Sequence, residues 1–230
     1  MTDFSARWKT TDATIKANEI IAALKANKDI REFFSQPSLY DKYSEEDKYF
    51  NDLLDLRGLT FSNEDFLNCD ISYLNFNYCI FENCTFSHID FRNNRVHETL
   101  FENCHFFSSN LDCIYGYNTA FKNCIIDKAS LISCYLIDPS FINSTIENTD
   151  LHTARLISPV LNNSTIKSCD LSSIRIAPTI SFIKQIKENR TSFNLRNIEW
   201  LSHNGKAIKN PLDDSLWKIK SMIKEMSPFK

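Results

Sequence analysis

Three sets of residues in this chain of 230 carry the chemistry from which a site is usually built: eight cysteines, five histidines and a spaced series of aspartates. Cys84, Cys104 and Cys124 stand 20 residues apart, and Ser144 and Ser164 continue the spacing. A zinc site needs closely converging ligands, such as a C-x-x-C pair. This series supplies no such pair and no histidine in phase. His88, His97, His105, His152 and His203 lie at different phases or on different coils, so no Ser-His-Asp or Cys-His set can be assembled from them. No G-x-x-x-x-G-K phosphate loop is present, and glycine is confined to Gly58, Gly116 and Gly205. These residues predict a protein with no catalytic set, no cofactor and no metal. Asp70, Asp90, Asp150 and Asp170, with Asn110 and Ser130 between them, keep the same 20-residue spacing.

What positions these residues is a repeat. From residue 56 to residue 176 every fifth position is a large apolar side chain, with Gly116 as the exception. A second series two residues earlier is small: cysteine, serine, threonine or alanine at many turns, including seven of the eight cysteines. A period of five is neither the 3.6 of a helix nor the 2 of a strand, so it specifies a repeat architecture. Residues sharing a phase share a direction. The cysteines therefore point inward as small hydrophobes, and reduced thiols are expected rather than a disulfide framework.

The small–polar–large–polar–polar unit resembles the pentapeptide-repeat family, as in Cys69-Asp70-Ile71-Ser72-Tyr73, Thr149-Asp150-Leu151-His152-Thr153 and Cys169-Asp170-Leu171-Ser172-Ser173. The resemblance implies a mostly β fold, a right-handed quadrilateral parallel β-helix with one pentapeptide per side and four per coil. A superperiod of 20 is then required, and it is present: Phe81-Glu82-Asn83-Cys84, Phe101-Glu102-Asn103-Cys104, Phe121-Lys122-Asn123-Cys124. Phenylalanine should stack on phenylalanine, and Asn63, Asn83, Asn103, Asn123, Asn143 and Asn163 should mark one corner, where asparagine tolerates positive φ. Six coils at about 4.8 Å make a rod of about 30 Å. The missing side chain at Gly116, beside the out-of-phase Cys113, predicts a local irregularity over residues 113–117.

The two ends read as helical caps, which a solenoid needs over its open strand edges. In residues 1–54, Asp12 is placed to cap a helix with the stripe Ala13, Ala17, Ile20, Ile21 and Leu24, ended by Asn27. Asp29 starts a short second piece, and Ser44 starts another helix. Residues 55–178 form the β-helix. Residues 179–230 form a helical, basic segment, with stripes on Ile180, Ile183 and Ile186, on Leu195, Ile198 and Leu201, and on Leu216, Ile219, Ile223 and Met226. The formal charge is −2 over residues 1–54, −6 over 55–175 and +5 over 176–230. The overall −3 gives no strong pull toward nucleic acid or membrane, although Lys218, Lys220 and Lys224 form a basic run at the C-terminal end. Residues 1–9 lack the apolar core of a signal peptide.

Function is therefore expected on the outside of the tube. One side carries Asp55, Asn75, Arg95, Tyr115, Tyr135, Arg155 and Arg175, flanked by Arg57, His97 and Tyr117. Arginine and tyrosine together are what protein interfaces favour, so Arg95, Tyr115, Tyr117, Tyr135, Arg155 and Arg175 are the candidate partner-binding residues. A second side carries the acidic ladder Asp70, Asp90, Asp150 and Asp170. A third carries Ile80, Leu100, Ala120 and Val160 outward, an apolar column to be covered by a terminal helix or a partner. The leading expectation is a non-enzymatic, rigid protein-binding scaffold. Resemblance to the family extends it to a bacterial effector acting on host proteins, located in the bacterial cytoplasm or translocated into a host cell. The alternative implied by the family is a DNA-mimicking, topoisomerase-binding protein, with DNA gyrase as partner and the acidic ladder as its surface, giving self-protection or quinolone tolerance. Arg92 and His152 on the acidic side, and the basic C-terminal segment, depart from that pattern. A homodimer through the terminal helices is a further expectation.

Overall fold

The structure, a computed structural model, describes residues 4–34, 53–188, 192–202, 204 and 206–213. The helix expected from Ser44 and the stripe on Leu216, Ile219, Ile223 and Met226 lie outside the described residues, as does His203.

The five-residue period closes into a four-sided parallel solenoid because every fifth residue turns a corner. From residue 63 to residue 173 each position at this spacing has φ between 50° and 62°. The hydrogen bonding of the turn differs between corners: at the asparagine corner Cys124 N and Ser144 N donate to the serine hydroxyl one coil on, whereas others close on themselves. The carbonyl of Phe76 accepts the N–H of Cys79 at 3.0 Å across Tyr78, just as Phe66 accepts Cys69 across Asn68. All four corners therefore need the left-handed conformation that the sequence assigned to the asparagine corner alone. Asparagine takes it readily, but Tyr73, Cys113 and Thr153 are held in it by the ladders on both sides.

Three sides are sheets in 20-residue register, broken only where the last strand, Glu199–Trp200, pairs 24 residues on from Arg175–Ile176. One has six strands, running from Thr60–Ser62 through Ile80–Glu82, Leu100–Glu102, Ala120–Lys122 and Ser140–Ile142 to Val160–Asn162. A second has five, from Thr85–Ser87 to Thr165–Lys167. The third has five, from Tyr115–Tyr117 to Glu199–Trp200, and is extended toward the N-terminal end through bridges of Arg95 to Asn75 and Tyr115. The fourth is a row of single bridges, Asp70 to Asp90 and onward to Asp170 and Asn194.

The interior is filled as expected. Phe61, Phe81, Phe101, Phe121 and Phe141 stack with centroids 4.5–5.0 Å apart and planes within 10°. Neighbouring columns meet edge-on, as Phe86 does Phe101 at 6.0 Å. Such pairs add roughly 0.5–1.5 kcal/mol each beyond burial. The small inward residues have a second task. Many of those with a hydroxyl or thiol donate to the carbonyl of the large residue 23 positions earlier: Thr99 to Phe76 at 2.8 Å, Thr119 to Val96 at 2.7 Å, Cys104 to Phe81 and Cys124 to Phe101 at 3.3 Å. Hydroxyl and thiol are therefore interchangeable there. Outside, the asparagine corner forms an amide ladder in which Asn83, Asn103, Asn123 and Asn143 each donate to the asparagine one coil earlier, at 3.0–3.3 Å.

The irregularity expected near Gly116 is absent. Tyr115, Gly116 and Tyr117 pair in register with Tyr135, Leu136 and Ile137. The space is already taken: a Cβ on Gly116 would overlap the Thr119 hydroxyl and lie 2.8 Å from Cγ2 of Val96. Neither a cavity nor an inward tyrosine is needed.

Helices close the two ends. At the N-terminal end, α1 (Thr11–Lys25) is capped by the Thr10 side chain, which accepts the Ala13 N–H, rather than by Asp12. Its face of Ala17, Ile20, Ile21 and Leu24 joins the core at Leu56 and Phe61. Asn27 ends it with φ 51°, and its amide stands in for a missing strand, accepting from Asp70 N at 2.7 Å and donating to Asn68 O at 3.2 Å. At the C-terminal end, α2 (Ile180–Glu188) buries Phe182, Ile183 and Ile186. Ser181 Oγ accepts the edge-strand N–H of Leu161 at 3.1 Å. The helix expected on Leu195, Ile198 and Leu201 is instead more solenoid. Asn194 bridges Asp170, Trp200 pairs with Ile176, and Asn197 turns the corner with φ 54°. The spacing is 24 rather than 20 because α2 replaces strand on two sides of that coil.

Candidate interaction surfaces

Burial pushes the thiols of Cys79 and Cys134 far above their ordinary range, and that of Cys169 up to about 11. Among the described residues no group of three or more histidine, cysteine or acidic side chains comes together to hold a metal. Cys113 alone of the eight is exposed, at a corner.

The Arg/Tyr side forms one column in register, but the structure divides it into three stretches. The first is covered by the chain itself. Residues Phe4–Trp8 form a 3-10 turn lying across it. Trp8 Nε1 donates to Arg57 O at 2.9 Å, and the Phe4 ring stacks on Tyr78 at 4.8 Å with the Arg57 guanidinium 4.4 Å from its other side. Gly58, φ 75°, lets this turn approach, since any Cβ there would overlap the Phe4 backbone. Asp55 is fully buried between Arg7 and Arg57, with contacts of 2.9 Å to each. Burial opposes its charge, but the hydrogen bonds of Arg57 and the charge of Arg7 outweigh it and hold the carboxyl below the usual range. Nothing periodic in residues 4–8 announces this contact.

Arg95 also lies in the buried part of the column, 4% exposed, so the structure removes it from the open surface on which the sequence placed it. Its guanidinium stands 5.6 Å from the Tyr115 ring. Beside it His97, equally buried, accepts the backbone N–H of Tyr117 on Nδ1 at 3.1 Å and stacks on the Tyr117 ring at 4.2 Å. Burial, with the nearby charge of Arg95, lowers its pKa to about 3.

The middle stretch is neither fully buried nor fully exposed. Tyr115, Tyr117, Tyr135 and Arg155 are all half-buried. The Tyr115 and Tyr135 rings are 5.4 Å apart, and the Arg155 guanidinium lies 4.6 Å from the Tyr135 ring. The Nε of Arg155 is buried with no hydrogen-bond partner. At the far end Arg175 is exposed and neutralised by Glu199 at 2.7 Å. A small apolar cluster of Ile157, Ala177 and Leu201, with Ile137 and Tyr135 against it, edges this stretch.

The acidic side keeps Asp70, Asp90, Asp150 and Asp170 in one column. Each turns one carboxylate oxygen back to its own chain, accepting the N–H two residues on: Ser72, Arg92, His152 and Ser172, at 2.7–3.2 Å. Asp90 is also paired with Arg92 at 3.0 Å. Burial works against the charge of Asp170, yet hydrogen bonds from Ser172 and Asn194 hold its carboxyl below the usual range. These aspartates close turns, and between Asp90 and Asp150 the column is uncharged.

A family model for pentapeptide repeats matches the sequence in eight copies, with residues 54–87 as the matched range. The chain is a pentapeptide-repeat protein. Its fold is the parallel β-solenoid that the five- and twenty-residue periods describe. No curated protein matches the sequence. Among solved structures, the repeats are similar to those of HetL, a pentapeptide repeat protein involved in heterocyst differentiation regulation from the cyanobacterium Nostoc sp. strain PCC 7120, at 16% identity and TM-score 0.45, over 54% of this chain and 56% of HetL. This chain thus spans only about half the length of HetL. QnrB1, a plasmid-mediated fluoroquinolone resistance protein, is similar at 14% identity and TM-score 0.41, over 76% of this chain and 97% of QnrB1. Rfr23 from the cyanobacterium Cyanothece 51142 is similar at 14% identity and TM-score 0.19, over 65% of this chain and 86% of Rfr23. None of these likenesses bears on what this pentapeptide-repeat protein binds.

Proposed function

We propose that this pentapeptide-repeat protein is a non-enzymatic scaffold that binds another protein through the half-buried middle of its Arg/Tyr side. The observation that carries the reading is Arg155. Its guanidinium lies over the Tyr135 ring, 4.6 Å from the centroid, and its buried Nε has no acceptor among the described residues. By contrast, Arg7 and Arg57 are paired with Asp55, and Arg175 with Glu199. The surface consists of Tyr115, Tyr117, Tyr135, Arg155 and Arg175. These are rigid aromatic anchors beside a guanidinium, the composition of an interface centre.

Binding of host proteins after translocation, and binding of gyrase, are the two refinements of this reading. The gyrase reading draws on the acidic column, whose aspartates are engaged in turns and whose middle is neutral, so the Arg/Tyr surface is preferred. Capture of partners from bacterial and from eukaryotic lysates on the immobilised full chain separates them. Stoichiometric gyrase from the bacterial lysate, with protection of supercoiling against a quinolone, would replace the host-protein refinement. A partner recovered only from the eukaryotic lysate, and lost on Tyr135→Ser, would support it.

A further inference from the structure

The six-stranded sheet presents an outward column in which Ile80, Leu100, Ala120 and Val160 are separated from one another by one coil, with Ser140 the sole polar break. Such a column was expected to be covered by a terminal helix or by a partner, and the stripe on Leu216, Ile219, Ile223 and Met226 lies outside the described residues. The two described helices are elsewhere: α1 closes the N-terminal end of the core, and α2 packs under the last strands. Val160 is left 43% exposed, and Ile80 and Leu100 are partly so. An outward apolar residue on a solvated sheet is unremarkable singly, but four of them over five rungs, Ile80, Leu100, Ala120 and Val160, make a surface.

Its rim is acidic. Glu98 and Asp138 stand at the corner on one side of the stripe, and Glu82 and Glu102 on the strands at the other. Lys122 is the single cation on these strands and is engaged by Glu102. Glu82 accepts only the Ser62 hydroxyl, at 3.4 Å, and no ion pair holds Glu98 or Asp138 among the described residues.

We propose that this face is the docking site for an amphipathic, basic helix of another protein, seated along the stripe with its apolar residues on Leu100 and Val160 and its lysines or arginines on the acidic rim. Charge decides between occupants. A second copy meeting the face by two-fold symmetry would set Glu82, Glu98, Glu102 and Asp138 against their own kind. Anionic lipid and nucleic acid are repelled by the same rim. Geometry favours a helix. A helix turn rises about 5.4 Å and the rungs are about 4.8 Å apart. Side chains three and four apart can therefore follow the column over its four or five rungs. This site is separate from the Arg/Tyr surface and does not rest on it.

The probe is a fluorescein-labelled synthetic helical peptide of about 16 residues, about the length of the stripe, with leucines on one face flanked by lysines. Its binding to the full chain is followed by anisotropy at two salt concentrations. The expected result is saturable binding that weakens with salt, falls at least about tenfold for Leu100→Ser with Val160→Ser, and falls similarly for a peptide whose lysines are replaced by glutamates. Unchanged thermal unfolding of the double variant shows that the loss is at the surface. Glu98→Lys with Asp138→Lys should bring the glutamate peptide back. No binding up to about 100 μM, or equal binding of the two peptides, would overturn the proposal. So would a self-association of the unmodified chain that the double variant abolishes, which would give the face to a second copy.

Discussion

Arg155 and Tyr135, one coil apart on the same column, hold each other in a cation–π contact of 4.6 Å while the Arg155 Nε meets no acceptor. The contact fixes a guanidinium in place without satisfying it. Replacing Arg155 by Met keeps the apolar stem against Tyr135 and removes the unsatisfied donor. We expect urea unfolding of Arg155→Met to show stability unchanged or raised, by up to about 1 kcal/mol. A loss of more than about 2 kcal/mol would mean that the guanidinium is structural.

His97 makes the fold sensitive to acid. Its folded pKa of about 3 lies below the ordinary histidine value of 6.5. Between those two values the unfolded chain binds the extra proton, so stability rises with pH in that window. The contribution is complete above about 6.5 and is lost as pH falls toward 3, at up to about 1.4 kcal/mol per pH unit. Protonation of Nδ1 would also break the bond it accepts from Tyr117 N. Chemical denaturation from pH 7 to pH 4 should show this slope in the native chain and a shallower one in His97→Gln.

Gly116 looks from sequence like a gap to be filled, and the structure predicts the opposite. Thr119 and Val96 occupy the space. Gly116→Ala should destabilise by roughly 1–3 kcal/mol, the cost of overpacking, and Gly116→Leu by more. A gain in melting temperature for either would contradict this packing.

The thiols should divide seven to one. With Cys113 exposed and the other seven buried, a thiol reagent at pH 8 should modify one cysteine quickly in the native chain and all eight after unfolding. Cys113→Ser should remove the fast phase. Cys104→Thr should be tolerated within about 1.5 kcal/mol, because a hydroxyl can make the same bond to the Phe81 carbonyl.

Much of the fold was legible because the repeat writes each side chain's direction into its phase. The phenylalanine stacks, the inward cysteines and the amide ladder of Asn63 to its successors all follow from spacing alone. Two kinds of feature were not. Where a helix interrupts the count, as α2 does, the phase shifts by four, and Asn194, Asn197 and Trp200 no longer look like members of the repeat. Their signal was still present in Asn197, an asparagine two residues after Leu195, as at the other corners. The second kind is cover supplied from far along the chain. The phase gives Asp55, Arg57, Arg95 and His97 an outward direction, and they do point outward, but outward there is not solvent. Phe4, Arg7 and Trp8 lie on the first of them, and no period links those residues to residue 55. The acidic ladder was legible as a column, while the Asx-type turns that employ its carboxylates appeared only with coordinates.

The central claim is that function lies on the outer Arg/Tyr surface and not inside the tube. The most direct measurement is quantitative affinity capture with the native full chain, with Tyr135→Ser/Arg155→Met, and with Cys104→Thr as an interior control, each first shown to unfold cooperatively. The account predicts that at least one stoichiometric partner is lost by about tenfold or more from the surface variant and retained by the interior one. The same partners held equally by all three chains would contradict it.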